Sequence, residues 1–199
     1  MKVDLILASS SSIRREMLES AGLVVECQPA SIDEKAIKES LLFEEASPRD
    51  VADTLAEAKA RKISSRIPDA LVLGCDQVLE VEQSLLSKPE TRDDAREQLL
   101  RLRGKTHRLL SAAVIYDGGE PVWRHIGIAR LGMRAFSDEY LEAYLDRNWP
   151  DVGSSVGGYK LEKEGVRLFS HIQGDNFTIL GLPLVELLNY LSLRGAISA

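Results

Sequence analysis

Cysteine is scarce in this sequence: Cys27 and Cys75 are the only two among 199 residues. They form neither a CxxC pair nor a zinc spacing, which excludes a disulfide-stapled scaffold and a thiolate-held metal. Two buried, reduced thiols are the plain expectation. Histidine is as sparse, and His107, His125 and His171 have no metal-ligand spacing. No apolar run approaches the roughly 20 residues of a membrane span, and Asp4 and Arg14 interrupt anything like a signal peptide. A cytoplasmic protein without membrane contact is therefore expected. Positive charge is in the minority, with 25 Lys and Arg against 31 Asp and Glu and a net charge of −6. Binding to nucleic-acid polymers runs on Lys and Arg neutralising phosphates, so this balance disfavours it. A small polyphosphate is still a ligand if cations converge in one cleft. Repeats, low-complexity tracts and long linkers are also lacking.

What is present is ordinary for a globular chain, with 44% hydrophobic and 28% charged residues. The expectation is a single domain over residues 1–199, with room for two lobes around one cleft. The apolar run 3–8 predicts a buried strand, and Ser9, Ser10, Ser11 and Ser12 follow at once. A helix is predicted over 13–21, with Met17, Leu18 and Ala21 on one face and Gly22 at its stop. Ser47-Pro48-Arg49-Asp50 is a helix start with cap, first-position proline and capping-box acid. That helix should reach residue 64 or 65. A buried strand over 70–75 ends at Asp76, a helix spans 93–103, and a strand over 109–116 turns at Asp117-Gly118-Gly119. Residues 128–136 alternate as a half-exposed strand, with Ala129, Leu131, Met133 and Ala135 on one side. Ser137 caps a further helix. Strands are expected over 165–172 and 177–180, and an apolar helix over 183–193. The irregular alternation of strands and helices predicts an α/β fold with a mixed sheet.

Several groups carry potential chemistry. A strand that ends in small hydroxyl residues and feeds a helix makes an anion site, because first-turn N–H groups are unpaired and the helix dipole favours negative charge. Ser9 and Ser11 add hydroxyls there, and Arg14 adds a planar fork suited to phosphate. The same pattern also reads as a serine-capped helix with surface arginines. Asp76, at the end of an apolar strand, is placed to hold a hard cation or to accept a proton from water, and it also reads as a turn aspartate. Lys88 is fixed by Pro89, and Lys59 flanks an apolar helix face from which it can reach inward. Glu34 lies in a charged turn. Two look-alikes fail on context. Gly104-Lys105-Thr106 leaves a helix where a P-loop would enter one. Gly153-Ser154-Ser155-Val156-Gly157 lacks the strand and helix of a nucleophile elbow, which argues against a serine hydrolase built on Ser155.

Six segments together are similar to the Maf family of nucleotide pyrophosphatases over nearly the whole length. Leu7-Ala8-Ser9-Ser10-Ser11-Ser12-Ile13-Arg14 resembles the family's opening L-A-S-x-S-x-x-R, and Leu55-Ala56-x-x-Lys59-Ala60 its lysine helix. Gly74-Cys75-Asp76-Gln77-Val78 resembles its central aspartate strand, Lys88-Pro89 its K-P turn and Gly104-x-x-His107 its glycine-histidine element. Gly158-Tyr159 and Gly174-Asp175 through Gly181-Leu182-Pro183-Leu184 resemble its closing signatures. The resemblance implies an elongated ITPase-like α/β fold with a substrate cleft across a mixed central sheet flanked by helices. It implies a divalent cation, Mg²⁺ or Mn²⁺, held by Asp76 and Glu34, and a homodimer. Asp76 takes the general-base role with Glu34 as its acidic helper, and Ser9, Ser11, Arg14, Lys59 and Lys88 fall on phosphate-binding positions. The family's thymidine/uridine-triphosphate branch has R-R where Ile13-Arg14 stands, Asp-Thr where Asp76-Gln77 stands and glutamine where Glu162 stands. Gln77 and Glu162 instead resemble the branch that hydrolyses 7-methyl-GTP, so Ile13, Gln77 and Glu162 are the specificity positions and a guanine-type base is expected. The competing expectation is a non-catalytic nucleotide-binding regulator of septum formation.

Overall fold

The structure, a computed structural model, describes residues 3–198. In chain order the elements are β1 (Leu5–Leu7), α1 (Ser12–Ser20), β2 (Val25–Cys27), α2 (Glu34–Phe43), α3 (Pro48–Ser64), β3 (Val72–Val81) and β4 (Ser84–Leu86). Then follow α4 (Arg92–Leu102), β5 (Thr106–Asp117), β6 (Glu120–Met133), α5 (Asp138–Asn148), β7 (Phe169–Gln173), α6 (Asn176–Ile179) and α7 (Leu184–Leu193). The fold is α/β with a mixed sheet of order β2-β1-β3-β5-β6-β7, and β4 pairs with β3. β1 runs parallel to both β2 and β3, whereas the β3–β4 and β6–β7 pairs are antiparallel. Two compact units share the chain. The first takes the residues up to Gln77, Leu110–Gly127 and the stretch from Asn176, and the second takes Val78–Leu109 and Ile128–Asp175. The chain passes from one to the other inside β3, β5 and β6, so no linker marks a boundary in the sequence.

In the first unit, Leu5, Leu7, Leu18, Leu73, Ile115, Leu182, Leu187 and Leu191 form one buried cluster. Each such side chain contributes about 1.5–3 kcal/mol by leaving water. α3 begins as its residues dictate: the Ser47 hydroxyl accepts from the Asp50 N–H and donates to the Asp50 carboxylate, and Pro48 occupies the first turn. Val51, Leu55, Ala56, Lys59, Ala60 and Ile63 make its buried face. The Ala56 carbonyl and Ala60 press directly on Gly74 of β3, where a Cβ would overlap the Ala56 oxygen and stand 2.7 Å from the Ala60 nitrogen. That close approach requires glycine, and it carries the whole Lys59 turn onto the strand that holds Asp76.

In the second unit, α4 starts with a complete capping box between Thr91 and Asp94, and α5 is capped by Ser137. Leu99 and Leu102 of α4 and Leu141, Tyr144 and Leu145 of α5 are buried. Arg92 pairs with Glu142 and Asp146, and Arg96 pairs with Glu142, all at the exposed edge between these helices. His107 is buried, with its Nε2 2.7 Å from the Tyr159 hydroxyl and its ring 5.9 Å from that of Phe169. Burial pushes its pKa down from 6.5 to about 4. The unfolded chain therefore takes up a proton below about pH 6.5 that the native state refuses until about pH 4, so stability falls as pH drops through that window. The full gap is worth about 3 kcal/mol. Urea midpoints measured between pH 7 and pH 4 should fall accordingly, and His107→Phe should flatten that slope. An unchanged slope in the variant would refute the assignment.

The structure corrects several expectations. β3 does not end at Asp76 but runs on to Val81, because Val78, Leu79 and Val81 are buried and the strand folds back on β4. Asp76 is thus mid-strand. The segment predicted as a strand over 165–172 is a 3₁₀ turn (Glu164–Leu168) followed by β7, and 177–180 lies largely in the short helix α6. A single helical turn is too short to show its period. β6 starts at Glu120, well before the predicted alternation, and Ala135 lies beyond it and is exposed. Cys75 is buried as expected, but Cys27 is only half-buried. Glu34 opens a helix and does not sit in a turn, because Asp33 caps α2 by accepting from the Ala36 N–H. Ser155 lies between two 3₁₀ turns with no flanking strand, in agreement with the rejection of the elbow motif.

Candidate active site

The opening turn of the first unit is built around Arg14. Ser11 caps α1 by accepting from the Arg14 N–H. The buried Ser9 hydroxyl accepts from the Ser11 N–H at 3.2 Å and from Arg14 Nη1 at 3.3 Å. Arg14 Nε donates to the Gly181 carbonyl at 2.8 Å, and Nη1 also donates to the Cys75 carbonyl at 3.3 Å. Gly181 has a φ of +101°, which favours glycine, and a Cβ there would stand 3.1 Å from Arg14 Nη2 and press on the guanidinium. The fork is held rigid on one side, which lowers the ordering cost of meeting an anion with its remaining donors. Ile13 is half-buried beside it on α1.

Cys75 leads to Asp76, the centre of the arrangement. The residue is 8% exposed, and its carboxylate accepts from Lys59 Nζ at 2.6 Å. Lys59 is 9% exposed, and its ammonium also meets Glu34 Oε1 at 2.9 Å. The Glu34 side chain is 55% exposed, so the cluster opens to solvent on the α2 side. Burial pushes the Asp76 pKa above its ordinary value, with the Lys59 and Arg14 charges pulling the other way. The Cys75 thiol, pushed up to about 11 by burial, stays protonated and is not a nucleophile. Next along β3, the Gln77 amide donates to the Ser111 hydroxyl and to the Thr178 and Ile179 carbonyls. Those bonds engage its amide hydrogens within the unit.

The structure therefore brings together Ser9, Ser11, Arg14, Glu34, Lys59 and Asp76 in the first unit. Lys88 and Glu162 belong to the second unit, and both are exposed, Lys88 between β4 and α4 and Glu162 in the turn after Tyr159. Sequence reasoning missed Lys38, a half-buried lysine of α2 whose ammonium lies in the field of Asp76. Its signal was its place four residues after Glu34, legible only once α2 is known to be a helix.

Asp76 and Glu34 both contact the Lys59 ammonium, and carboxylate oxygens are donors of the kind Mg²⁺ and Mn²⁺ take. Among the described residues no group of three or more His, Cys, Asp or Glu could hold a metal ion. Mg²⁺ commonly uses only one or two carboxylates and fills its other positions with water and substrate phosphates, so Asp76 and Glu34 fit a cation that arrives with a polyphosphate.

Residues 4–193 match the family described as Maf-like protein. A nucleoside triphosphate pyrophosphatase of Roseobacter denitrificans is 60% identical over 98% of both chains. One of Ruegeria pomeroyi is 57% identical over 99% of both. A 7-methyl-GTP pyrophosphatase of Mesorhizobium japonicum is 47% identical, again over 99% of both. At such coverage and identity the chain belongs to the Maf-like protein family.

Proposed function

We propose that the protein is a nucleoside triphosphate pyrophosphatase that hydrolyses its substrate to a nucleoside monophosphate and pyrophosphate. The observation that carries this reading is the ionic triad of Asp76, Lys59 and Glu34 in the same unit as the anion-binding turn that ends in Arg14. Two relatives at 57% and 60% identity bear that activity as their name. In this reading the enzyme works in the cytoplasm as a homodimer on a small nucleotide, without a nucleic-acid polymer.

Arg14, the Ser9–Ser11 turn and Lys59 orient the triphosphate and offset its charge, and Lys88 contributes a further cation. Asp76 and Glu34 hold the divalent cation, which when bound neutralises charge on phosphate oxygens. Asp76 accepts the proton of a water whose oxygen forms a bond to the α-phosphorus. The bond from that phosphorus to the bridging oxygen breaks, and pyrophosphate leaves with its electron pair. Lys59 keeps Asp76 ionised despite burial and fixes its orientation.

For the base, the reading is a guanine-type nucleotide selected by Glu162, because a carboxylate accepts the N1–H and N2–H₂ donors of a guanine edge and a pyrimidine offers no such pair. The 47%-identical relative named for 7-methyl-GTP supports it. Ile13 and Gln77 are the two other positions that set this branch apart. A nucleotide panel with methylated bases, scored for pyrophosphate with Mg²⁺, Mn²⁺ or chelator, tests the whole reading. The expected result is metal-dependent pyrophosphate release that favours 7-methyl-GTP over UTP, with Glu162→Gln lowering that preference about tenfold. Equal turnover of the two by the wild type sinks the base assignment, and tight nucleotide binding without pyrophosphate release replaces the enzyme with a regulator.

A further inference from the structure

We propose that Asp151 is a positioning residue for base selection, a latch that grips both flanks of the turn carrying Glu162 and leaves the Glu162 carboxylate clear for the nucleobase; this rests on the guanine-type reading above. The turn begins at Tyr159, whose hydroxyl lies 2.7 Å from His107 Nε2 and whose ring meets that of Phe169 edge-on. It closes at Gly165, which lies so near the start that a Cβ would stand 2.4 Å from the Lys160 carbonyl oxygen. The Lys163 N–H donates to that same carbonyl at 3.2 Å. Both ends are thus fixed by the backbone, and the tip between them is held by side chains. Asp151 Oδ1 accepts from Lys160 Nζ at 2.7 Å, and Oδ2 accepts from Lys163 Nζ at 3.0 Å. The two lysines stand on either side of Glu162 in the chain, so one carboxylate ties down both approaches to it. The next residue, Glu164, accepts from Arg147 Nη2 at 2.6 Å and from the Asn148 amide at 2.9 Å. Of the four charged side chains in the turn, Lys160, Glu162, Lys163 and Glu164, only that of Glu162 makes no hydrogen bond or ion pair among the described residues. A single exposed ion pair adds little to stability, so this pairing matters for the placement it imposes. It limits the wandering of the tip, which lowers the ordering cost when Glu162 meets a ligand. It also occupies both ammonium groups, which would otherwise be free to neutralise the neighbouring carboxylate.

The test uses the full chain with 7-methyl-GTP and UTP as substrates. Asp151→Asn keeps the shape of the side chain and removes the charge that grips the lysines. It should lower the preference for 7-methyl-GTP about fivefold, less than Glu162→Gln, because the reading group is loosened and not removed. The loss should appear as a higher KM for 7-methyl-GTP, with kcat for both nucleotides and KM for UTP close to wild type. Asp151→Glu should recover most of the preference. Adding Asp151→Asn to Glu162→Gln should cost no further preference, since the first acts through the second. Hydrogen exchange at the Lys163 amide should quicken in Asp151→Asn. A variant that loses activity equally on both nucleotides overturns the proposal, since that marks a general structural role. So do additive losses in the double variant. If the wild type prefers 7-methyl-GTP and Glu162→Gln abolishes that preference while Asp151→Asn retains it, the latch alone fails. If the wild type shows no preference, or Glu162→Gln keeps it, the base assignment fails and the latch falls with it.

Discussion

Asp76→Asn should reduce pyrophosphate release by about a thousandfold or more, while the protein remains folded. The substitution keeps the shape of the side chain and removes both its negative charge and its ability to take a proton. A positioned general base accounts for about 10²–10⁴ in rate. Lys59 keeps its contact with Glu34, so the loss of stability should stay below the about 3–5 kcal/mol of an orphaned buried charge. The pH profile gives a second readout. Because burial raises the Asp76 pKa, the acid limb of kcat/KM in the wild type should lie above the ordinary aspartate range, with rate lost as pH falls and the carboxylate is protonated. The same shift gives the native state a proton that the unfolded chain has already released. Stability therefore falls as pH rises from the ordinary aspartate pKa through the raised one, and Asp76→Asn should remove that slope. Full activity in the variant would end the base assignment.

Gly74→Ala should cost about 3 kcal/mol or more in unfolding free energy, a large effect for one methyl group. The added Cβ meets backbone on one side and another Cβ on the other: it overlaps the Ala56 carbonyl and stands 2.9 Å from the Ala60 Cβ. No rotamer relieves a clash with main chain, so α3 must move away from β3. Lys59 lies between Ala56 and Ala60 on the same turn, and its 2.6 Å contact with Asp76 lengthens with that shift. A misplacement near 1 Å costs about a hundredfold in rate. The variant should thus lose stability and activity together, whereas Asp76→Asn loses mainly activity. Urea unfolding and pyrophosphate release on the same preparation check this. An unaltered midpoint would show that the α3–β3 contact yields more easily than its geometry implies.

The helices with strong caps were legible in the sequence, since Ser47, Ser137 and the Pro48 signal act within a few residues of themselves. The short elements β2, β4 and α6 were not, because runs of three or four residues show no period. β3 was read too short because a polar pair, Asp76-Gln77, looks like a strand end. Distant partners that no local pattern announces, Lys59 for the aspartate and the 178–179 carbonyls for the glutamine, let it continue. Much of the candidate site was legible through the family resemblance, residue by residue. The contacts that hold it were not. Arg14 rests on carbonyls at positions 75 and 181, and backbone oxygens leave no mark on a sequence.

That last contact has a consequence for synthesis. Gly181, which seats Arg14, lies 167 residues after it in the chain, and Leu182, Leu187 and Leu191, which pack in the same cluster as Leu5 and Leu7, follow later still. The turn at residues 9–14 therefore waits for the synthesis of that distant segment before it can settle. A nascent chain stalled short of residue 181 leaves apolar side chains of β1 and β3 uncovered and the 9–14 turn without its Gly181 contact. Chains cut short before that residue should accordingly be substrates for chaperones and proteases.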